Sequence, residues 1–286
     1  MYIVDTHLHN FTAREKADDW DPRTLLEGGV INKAWLLSLG GVLEGTATDD
    51  EVIALARQYP DLFVPFGYLD FRRGVERIDW LYEQGCIGLK AIWPAKPYDS
   101  KEYFPYYERA ETLHMPILFH VGGGYYFPTR GRKRSESFLN MELEHSFGRN
   151  MLPIHMDAIA KSFPDLVIIM AHMGGNVHYF EQAAWICYGN SGMWGRARMY
   201  MDISSDLTYM LPALVMIGNI MREIGPDCFL YGSDTSYSRA IEVARFWKFF
   251  FKNSPCMKDD DIAKIMGLNA EECINEALRH RSDAVR

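Results

Sequence analysis

The stretch Tyr2-Ile-Val-Asp-Thr-His-Leu-His9 decides how we interpret the chain, because it joins an apolar run to two histidines. Side chains at positions i and i+2 of a β-strand point to the same face, about 7 Å apart along the backbone. His7 and His9 should therefore project together from the end of one strand, where two imidazoles can share a metal ion. An isolated HxH pair is equally typical of two surface histidines, so its meaning depends on the rest of the chain.

Seven further apolar runs follow the first, with helical patterns between them. Most of these runs are continuous rather than alternating, which indicates a parallel sheet that is buried on both faces. Eight β/α repeats predict an α/β fold of the (β/α)8 TIM-barrel class, with a C-terminal helical extension at Asp259–Leu278. The predicted strands are Ile3–His9, Ile31–Ser38, Phe63–Asp70, Ile87–Trp93, Ile117–His120, Leu166–His172, Met199–Ser204 and Phe229–Asp234.

An open, doubly wound sheet is the alternative fold. It would require a glycine-rich phosphate loop after an early strand. The turn after the first strand reads His9-Asn-Phe-Thr12 and has no GxGxxG pattern. The barrel is therefore the favoured interpretation.

The domain organisation is predicted to be simple, because no linker or change of composition divides the 286 residues. We expect one domain over residues 1–286. One interval breaks the repeat: His120 and His172 are 52 residues apart, whereas the other successive strand ends are 23 to 32 residues apart. We assign the excess to an inserted loop at 121–150, which in a barrel lies over the active site.

Composition excludes several classes of partner. The net charge of -8 and the pI of about 5.6 argue against nucleic-acid or anionic-membrane binding. The five cysteines are widely spaced and form no CxxC pair, as expected for a reduced intracellular protein. The sequence shows neither a signal-peptide pattern nor an apolar run of about 18 residues. We therefore expect a cytoplasmic protein without a membrane span.

Five metal-competent side chains fall at the ends of predicted strands. In a (β/α)8 enzyme the active site is assembled from the C-terminal ends of the strands, so these side chains should meet on one rim. A single one of them could be an ordinary hydrogen-bonded residue, but their joint position predicts a metal centre. They are His7, His9, His120, His172 and Asp234.

Short segments distributed along almost the whole chain resemble the amidohydrolase superfamily, in the same order. Within it, the similarity is to the amidohydrolase-2 branch, which contains aminocarboxymuconate semialdehyde decarboxylase and the resorcylate decarboxylases. The segments are Asp5-Thr-His-Leu-His9, Gly88-Leu-Lys90, Pro116-Ile-Leu-Phe-His120, Ala171-His-Met-Gly-Gly175, Gly232-Ser-Asp234 and Ile265-Met-Gly-Leu-Asn-Ala270.

This resemblance implies that His7, His9, His120 and Asp234 bind one divalent metal ion. It also implies that His172 is a catalytic group beside the metal rather than a ligand, and that Asp234 handles a proton. Three imidazoles and one carboxylate suit Zn²⁺ with an open position for water, and Mn²⁺ is the alternative. Whether His172 is a ligand or an acid–base group stays open at this point.

The activity implied by the resemblance is metal-dependent hydrolysis of a small, anionic amide, lactone or other ester. Non-oxidative decarboxylation of an aromatic or unsaturated acid is an alternative that uses the same ligands. A barrel that binds a ligand without catalysis is a further alternative. In each case the predicted partner is a small molecule.

Four other residues are candidates for substrate binding. Lys90, on the fourth predicted strand, is interpreted as a buried substrate-binding or structural cation, the alternative being a carbamylated bridge between two metal ions. Trp93 and Tyr125 could form an aromatic wall. Arg130 begins a run of four cations in five residues that could bind a carboxylate substrate. The alternative for the aromatic residues is a hydrophobic loop that packs on the rim. The alternative for the cationic run is a solvated run of charges.

The segment Arg245–Phe251 carries apolar residues on more than one helical face. Either both faces are buried within the monomer or one of them forms a subunit contact. Together with the resemblance, this segment predicts a homodimer.

Overall fold

The computed structural model describes residues 1–10, 22–42, 45–122, 148–175, 177–191, 195–204 and 214–284. Its eight strands form one parallel sheet in which each strand pairs with the next in chain order. The sheet closes between its last and first strands, since the Thr6 N–H donates to the Tyr231 carbonyl at 2.9 Å. The predicted (β/α)8 TIM barrel is therefore confirmed. The strands are β1 Val4–His9, β2 Lys33–Leu37, β3 Phe63–Leu69, β4 Gly88–Ala91, β5 Ile117–Phe119, β6 Val167–Met170, β7 Arg198–Asp202 and β8 Phe229–Leu230.

Helices connect successive strands, and their ends follow local sequence signals. At the start of the second helix, the Thr48 hydroxyl accepts the Glu51 N–H and the Glu51 carboxylate accepts the Thr48 N–H, a reciprocal capping box. The third helix ends at Gly85, whose φ of 105° favours glycine. The helices are α1 Arg23–Glu27, α2 Asp49–Gln58, α3 Glu76–Gln84, α4 Phe104–Thr112, α5 His155–Ser162, α6 Val177–Ser191, α7 Leu214–Ile224, α8 Tyr237–Lys252, α9 Asp259–Ala263 and α10 Asn269–Ala284.

Two apolar clusters form the core. The larger lies between the strands and the surrounding helices, and the smaller fills the barrel itself. Inside the barrel, Trp35 and Phe66 stack with their ring centroids 4.8 Å apart. Apolar side chains of α10 belong to this inner cluster. The barrel is thus a packed interior rather than an open pore.

Helix α10 packs against the beginnings of the strands, at the end of the barrel away from the predicted site. Ile274 belongs to the same apolar cluster as Val4, which opens β1, and Val167, which opens β6. Arg281 donates to the carbonyls of Tyr82 and Cys86, just before β4, at 2.7 and 2.6 Å. The predicted C-terminal helical extension therefore closes the N-terminal end of the barrel.

Helix α8 contains the aromatic segment that was predicted to bury both faces or to form a subunit contact. Trp247 and Phe251 are fully buried and stack 5.3 Å apart. Phe249 projects from the same helix with 69% of its surface exposed. One face therefore belongs to the core while Phe249 faces outward.

Two further expectations concern the rest of the chain. Of the predicted inserted loop at 121–150, residues 123–147 lie outside the described residues. Within the parts of the chain that the structure covers, no helix combines the length and the apolar character that crossing a membrane requires.

Candidate metal centre

Three of the predicted ligands form a compact cluster at the C-terminal end of the barrel. The Nε2 atoms of His7 and His9 both lie 3.5 Å from Oδ1 of Asp234. The two rings meet edge to face, with centroids 5.1 Å apart. One ligand atom from each residue lies within 4.8 Å of the others, and two imidazoles with a carboxylate are donors that suit a divalent transition metal. These residues could hold such an ion.

Asp234 reaches the two histidines because the backbone after β8 turns sharply towards β1. Its N–H donates to the His7 carbonyl at 2.7 Å, and its φ is 50°. Gly232 makes this approach possible, since a Cβ atom there would lie 2.7 Å from Cβ of His7 and 3.0 Å from Cβ of Ser204. Any side chain at this position would displace His7 or Ser204.

The remaining two predicted residues lie beside this cluster. Nε2 of His172 is 3.0 Å from Nδ1 of His120, and Nδ1 of His172 is 3.1 Å from the Ser204 carbonyl. Nδ1 of His172 also lies 3.9 Å from Oδ2 of Asp234. All five side chains are therefore neighbours: His120 contacts His172, and a second group of possible metal ligands combines His7 and His172 with Asp202.

The strand ends differ from the sequence prediction. Strand β6 ends at Met170 and β8 at Leu230, so His172 and Asp234 lie in the connections that follow. Both residues adopt left-handed backbone, with φ values of 58° and 50°. Non-glycine residues in this region are strained by about 1–3 kcal/mol each, and such residues are often found at functional sites. The turn after each short strand, rather than the strand itself, therefore orients the side chains of His172 and Asp234.

Two site residues escaped the sequence analysis. Asp202 ends β7 with no exposed surface, and its Oδ2 accepts a hydrogen bond from Nδ1 of His7 at 2.7 Å. The Ser204 hydroxyl donates to Oδ1 of Asp202 and lies 3.0 Å from Nδ1 of both His7 and His172. A carboxylate within the apolar run Met199–Ser204, two positions before a serine, is the signal that could have found them.

Burial shapes the protonation of the histidines. It lowers the pKa of His7 and lowers those of His9 and His120 well below the usual range. Such rings are neutral at pH 7, which is the form that binds a metal ion. Burial opposes ionisation of Asp202, but the hydrogen bonds that it accepts from His7 and Ser204 help to hold the pKa of this carboxyl below its ordinary value.

Asp5 has a different environment on the same strand as His7. Its carboxylate accepts the backbone N–H groups of His7 at 3.1 Å and Ser233 at 2.9 Å. Burial raises its pKa to about 6. Asp5 therefore links β1 to the connection after β8 through the backbone.

Lys90 lies inside the barrel, as the sequence indicated. It is 1% exposed, and its Nζ is 3.3 Å from Nε2 of His7. Burial lowers the pKa of this ammonium to about 8. Trp93 is half-buried after β4 with a φ of 57° and packs against the outer core. Tyr125 and Arg130 lie outside the described residues, so their predicted contacts with substrate stay predictions.

Comparison with known proteins assigns the family. Residues 42–274 match the family model described as amidohydrolase, so the chain belongs to the amidohydrolase family, a family of metal-dependent enzymes. The resemblance stated from the short segments is thereby confirmed. No curated protein matches the sequence.

Similar solved structures support the same fold. An uncharacterised TIM-barrel protein from Bordetella bronchiseptica is 19% identical with a TM-score of 0.68, over 97% of this chain and 99% of that one. A probable 2-pyrone-4,6-dicarboxylic acid hydrolase from Acinetobacter baumannii, with citric acid bound, is 13% identical with a TM-score of 0.61, over 96% and 100%. A 5-carboxyvanillate decarboxylase from Novosphingobium aromaticivorans, complexed with manganese and 4-hydroxy-3-methoxy-5-nitrobenzoic acid, is 17% identical with a TM-score of 0.61, over 93% and 86%.

Proposed function

We propose that this enzyme hydrolyses a small, anionic amide, lactone or other ester with one divalent metal ion, Zn²⁺ or alternatively Mn²⁺. His7, His9, His120 and Asp234 would hold the ion. The observation that carries the proposal is the convergence of two imidazole Nε2 atoms on one oxygen of Asp234, each at 3.5 Å. Such an ion, when bound, supplies Lewis acidity and lowers the pKa of a coordinated water to about 7.

The side chains around this centre have complementary roles. Asp234 is the general base, because its carboxylate is 25% exposed and is the member of the cluster most open to solvent. His172, whose Nδ1 is 3.9 Å from Oδ2 of Asp234, exchanges a proton with the substrate. The Lys90 ammonium places a positive charge beside the cluster, 3.3 Å from Nε2 of His7, and this charge favours an anionic substrate.

Decarboxylation of an aromatic or unsaturated acid is the second candidate. It is favoured by the similarity to a manganese-containing 5-carboxyvanillate decarboxylase. In this reaction His172 or Asp234 would deliver a proton to the substrate carbon that loses CO₂. A hydrolase incorporates ¹⁸O from labelled water into its product, whereas a decarboxylase releases CO₂ without consuming water. Screening lactones, amides and aromatic acids with both readouts distinguishes the two reactions.

Metal content is the first test of the proposal. We expect plasma mass spectrometry of tag-free protein to find about one equivalent of Zn or Mn, and less than a tenth of that in His7→Ala. The matched control is His155→Ala. His155 lies on the outer helix α5, and its Nδ1 is 3.0 Å from Oδ1 of Asp99. Two equivalents in the wild type would instead support a carbamylated Lys90. Absence of metal after reconstitution would overturn the proposal and favour the non-catalytic barrel.

We also propose a homodimer that forms through α8. The exposed Phe249 supports it, because an aromatic ring with 69% of its surface in water gains free energy when a partner covers it. Light scattering coupled to size exclusion should give twice the chain mass for the wild type and a monomer for Phe249→Glu. A monomeric wild type would contradict this proposal.

The cytoplasm is the proposed location. All five cysteines are free thiols. Free thiols are typical of reducing compartments. Cell fractionation with a tagged chain tests this location.

A further inference from the structure

We propose that Asp202 is a positioning residue that fixes the tautomer of His7 and the backbone of His172, an inference that rests on the proposed metal site. Its two carboxylate oxygens have different partners. Oδ2 accepts from Nδ1 of His7 at 2.7 Å, while Oδ1 accepts from the N–H groups of His172 at 2.8 Å and Ser204 at 3.1 Å. Asp202 has no exposed surface, so bulk solvent does not compete with these donors.

The contact with Oδ2 determines where the proton of His7 resides. A neutral imidazole carries one N–H, and a carboxylate surrounded by donors can only accept it. The proton is therefore on Nδ1, which leaves the lone pair on Nε2, the atom that lies 3.5 Å from Asp234. The opposite tautomer would direct an N–H at the position of the ion and a lone pair at Asp202. Metal-binding histidines are commonly oriented by an outer carboxylate in this way.

Ser204 reinforces the same tautomer. Its hydroxyl hydrogen is directed at Oδ1 of Asp202. Towards Nδ1 of His7, 3.0 Å away, the hydroxyl can therefore only accept a hydrogen bond. Both neighbours of Nδ1 thus require the N–H form of that atom.

The contact with Oδ1 restrains the second partner. His172 and Met173 have φ values of 58° and 49°, a conformation that non-glycine residues rarely adopt. The hydrogen bond from the His172 N–H to Asp202 anchors the start of this turn. The rings of His7 and His172 then lie with centroids 4.9 Å apart. One carboxylate therefore positions a proposed ligand and the proposed proton-transfer group together.

The test uses Asp202→Asn, which keeps the shape of the side chain but removes its charge and introduces an N–H₂ donor. Zn²⁺ affinity is measured by competition with a chromophoric chelator. The tautomer of His7 is measured in metal-free protein by ¹⁵N NMR of labelled histidine side chains, with His7 assigned from the spectrum of His7→Gln. We expect Asp202→Asn to bind Zn²⁺ about 10- to 100-fold more weakly and to lose the Nδ1–H pattern of His7.

The matched control is Asp49→Asn. Asp49 is a buried carboxylate that accepts one backbone N–H, from Tyr68 at 2.8 Å, and one side-chain donor, from Arg77 at 2.7 Å. It opens α2, and its hydrogen bonds go to Tyr68 and Arg77 rather than to the histidine cluster. We expect its Zn²⁺ affinity and His7 tautomer to match those of the wild type. An equal loss of affinity in both variants would mean that Asp202 acts only through stability, which would overturn the proposal.

Two further outcomes are decisive. Wild-type affinity in Asp202→Asn, or a wild-type spectrum with the His7 proton on Nε2, would overturn the proposal. If Asp202→Asn does not fold, the wild-type spectrum alone decides. A wild type that binds no Zn²⁺ or Mn²⁺ contradicts the proposed function, whereas the metal-free spectrum still tests Asp202 by itself.

Discussion

At the residue scale, the missing side chain of Gly232 shapes the candidate site. A Cβ there would overlap His7 and Ser204, whose backbones cannot move without shifting β1 or the end of β7. We predict that Gly232→Ala destabilises the protein by about 1–3 kcal/mol, the usual cost of overpacking, and weakens metal binding because His7 is displaced. Urea unfolding and metal titration of the same preparation measure the two effects.

Gly218→Ala is the control for this change. Gly218 lies within α7, and a Cβ there would meet nothing within 4 Å. Alanine is the better helix former by roughly 1 kcal/mol, so this variant should be neutral or more stable. If Gly232→Ala were as stable as Gly218→Ala and bound metal equally well, the close approach at Gly232 would have no functional meaning.

His172 permits a prediction that separates a ligand from a proton-transfer group. Its Nε2 contacts His120 at 3.0 Å, and its Nδ1 lies closer to the Ser204 carbonyl, at 3.1 Å, than to Oδ2 of Asp234, at 3.9 Å. We predict that His172→Asn keeps most of its metal while its rate on a substrate found by screening falls by about 10²- to 10⁴-fold. Plasma mass spectrometry and steady-state rates test this, and a loss of metal in parallel with activity would identify His172 as a ligand.

The sequence was informative about polar residues that are unusual beside buried strands. Histidines at the ends of apolar runs are conspicuous, and the structure brings His7, His9 and Asp234 together. Asp202 was missed because its function depends on a hydrogen bond to a residue 195 positions away. No local pattern encodes such a contact, and an aspartate at a strand end is ordinarily read as a surface residue.

At the scale of elements, α8 shows that one aromatic segment can have two environments. Trp247 is fully buried, whereas Phe249 is 69% exposed. We predict that Trp247→Ala lowers the free energy of unfolding by about 3–5 kcal/mol through the cavity it leaves. Phe249→Ala should change it by no more than about 0.5 kcal/mol in dilute protein, where any dimer has dissociated. Chemical denaturation of both variants checks the difference, and equal effects would contradict the orientation of the helix.

Strand positions were predictable, but strand ends were not. Continuous apolar runs gave all eight strands, because burial on both faces leaves a strong signal. The predicted end at Asp234 exceeds the observed end of β8 at Leu230. The three residues between them keep the apolar and small character of a strand while their backbone turns towards β1. Sequence composition does not distinguish a strand that continues from a backbone that turns.

At the scale of the whole molecule, α10 completes the barrel core. Ile274 is 1% exposed within the inner cluster, whereas Leu278, one turn further on, is 38% exposed. We predict a loss of about 2–5 kcal/mol for Ile274→Ala and of no more than about 1 kcal/mol for Leu278→Ala. Thermal and urea unfolding measure both, and metal content per folded molecule should be unchanged in each. A metal-depleted Ile274→Ala would show that the two ends of the barrel are coupled.

The repeat of strands and helices predicted the architecture of the whole chain, including a helical segment after the last strand. It did not predict where that helix packs, since α10 contacts both β1 and β8, the first and the last strand of the chain. The loop predicted at 121–150 has a length that follows from the strand spacing. Its contacts depend on side chains such as Tyr125 and Arg130, whose conformations no periodicity determines.

The closure of one end by α10 also has a kinetic meaning. Among the described residues, apolar side chains fill the barrel and α10 covers its N-terminal end, so we expect substrate and product to share the mouth at the C-terminal end. A product that lingers there blocks the next substrate. Competitive product inhibition is therefore the expected steady-state pattern, and turnover should become limited by departure of the product as the leaving fragment grows larger.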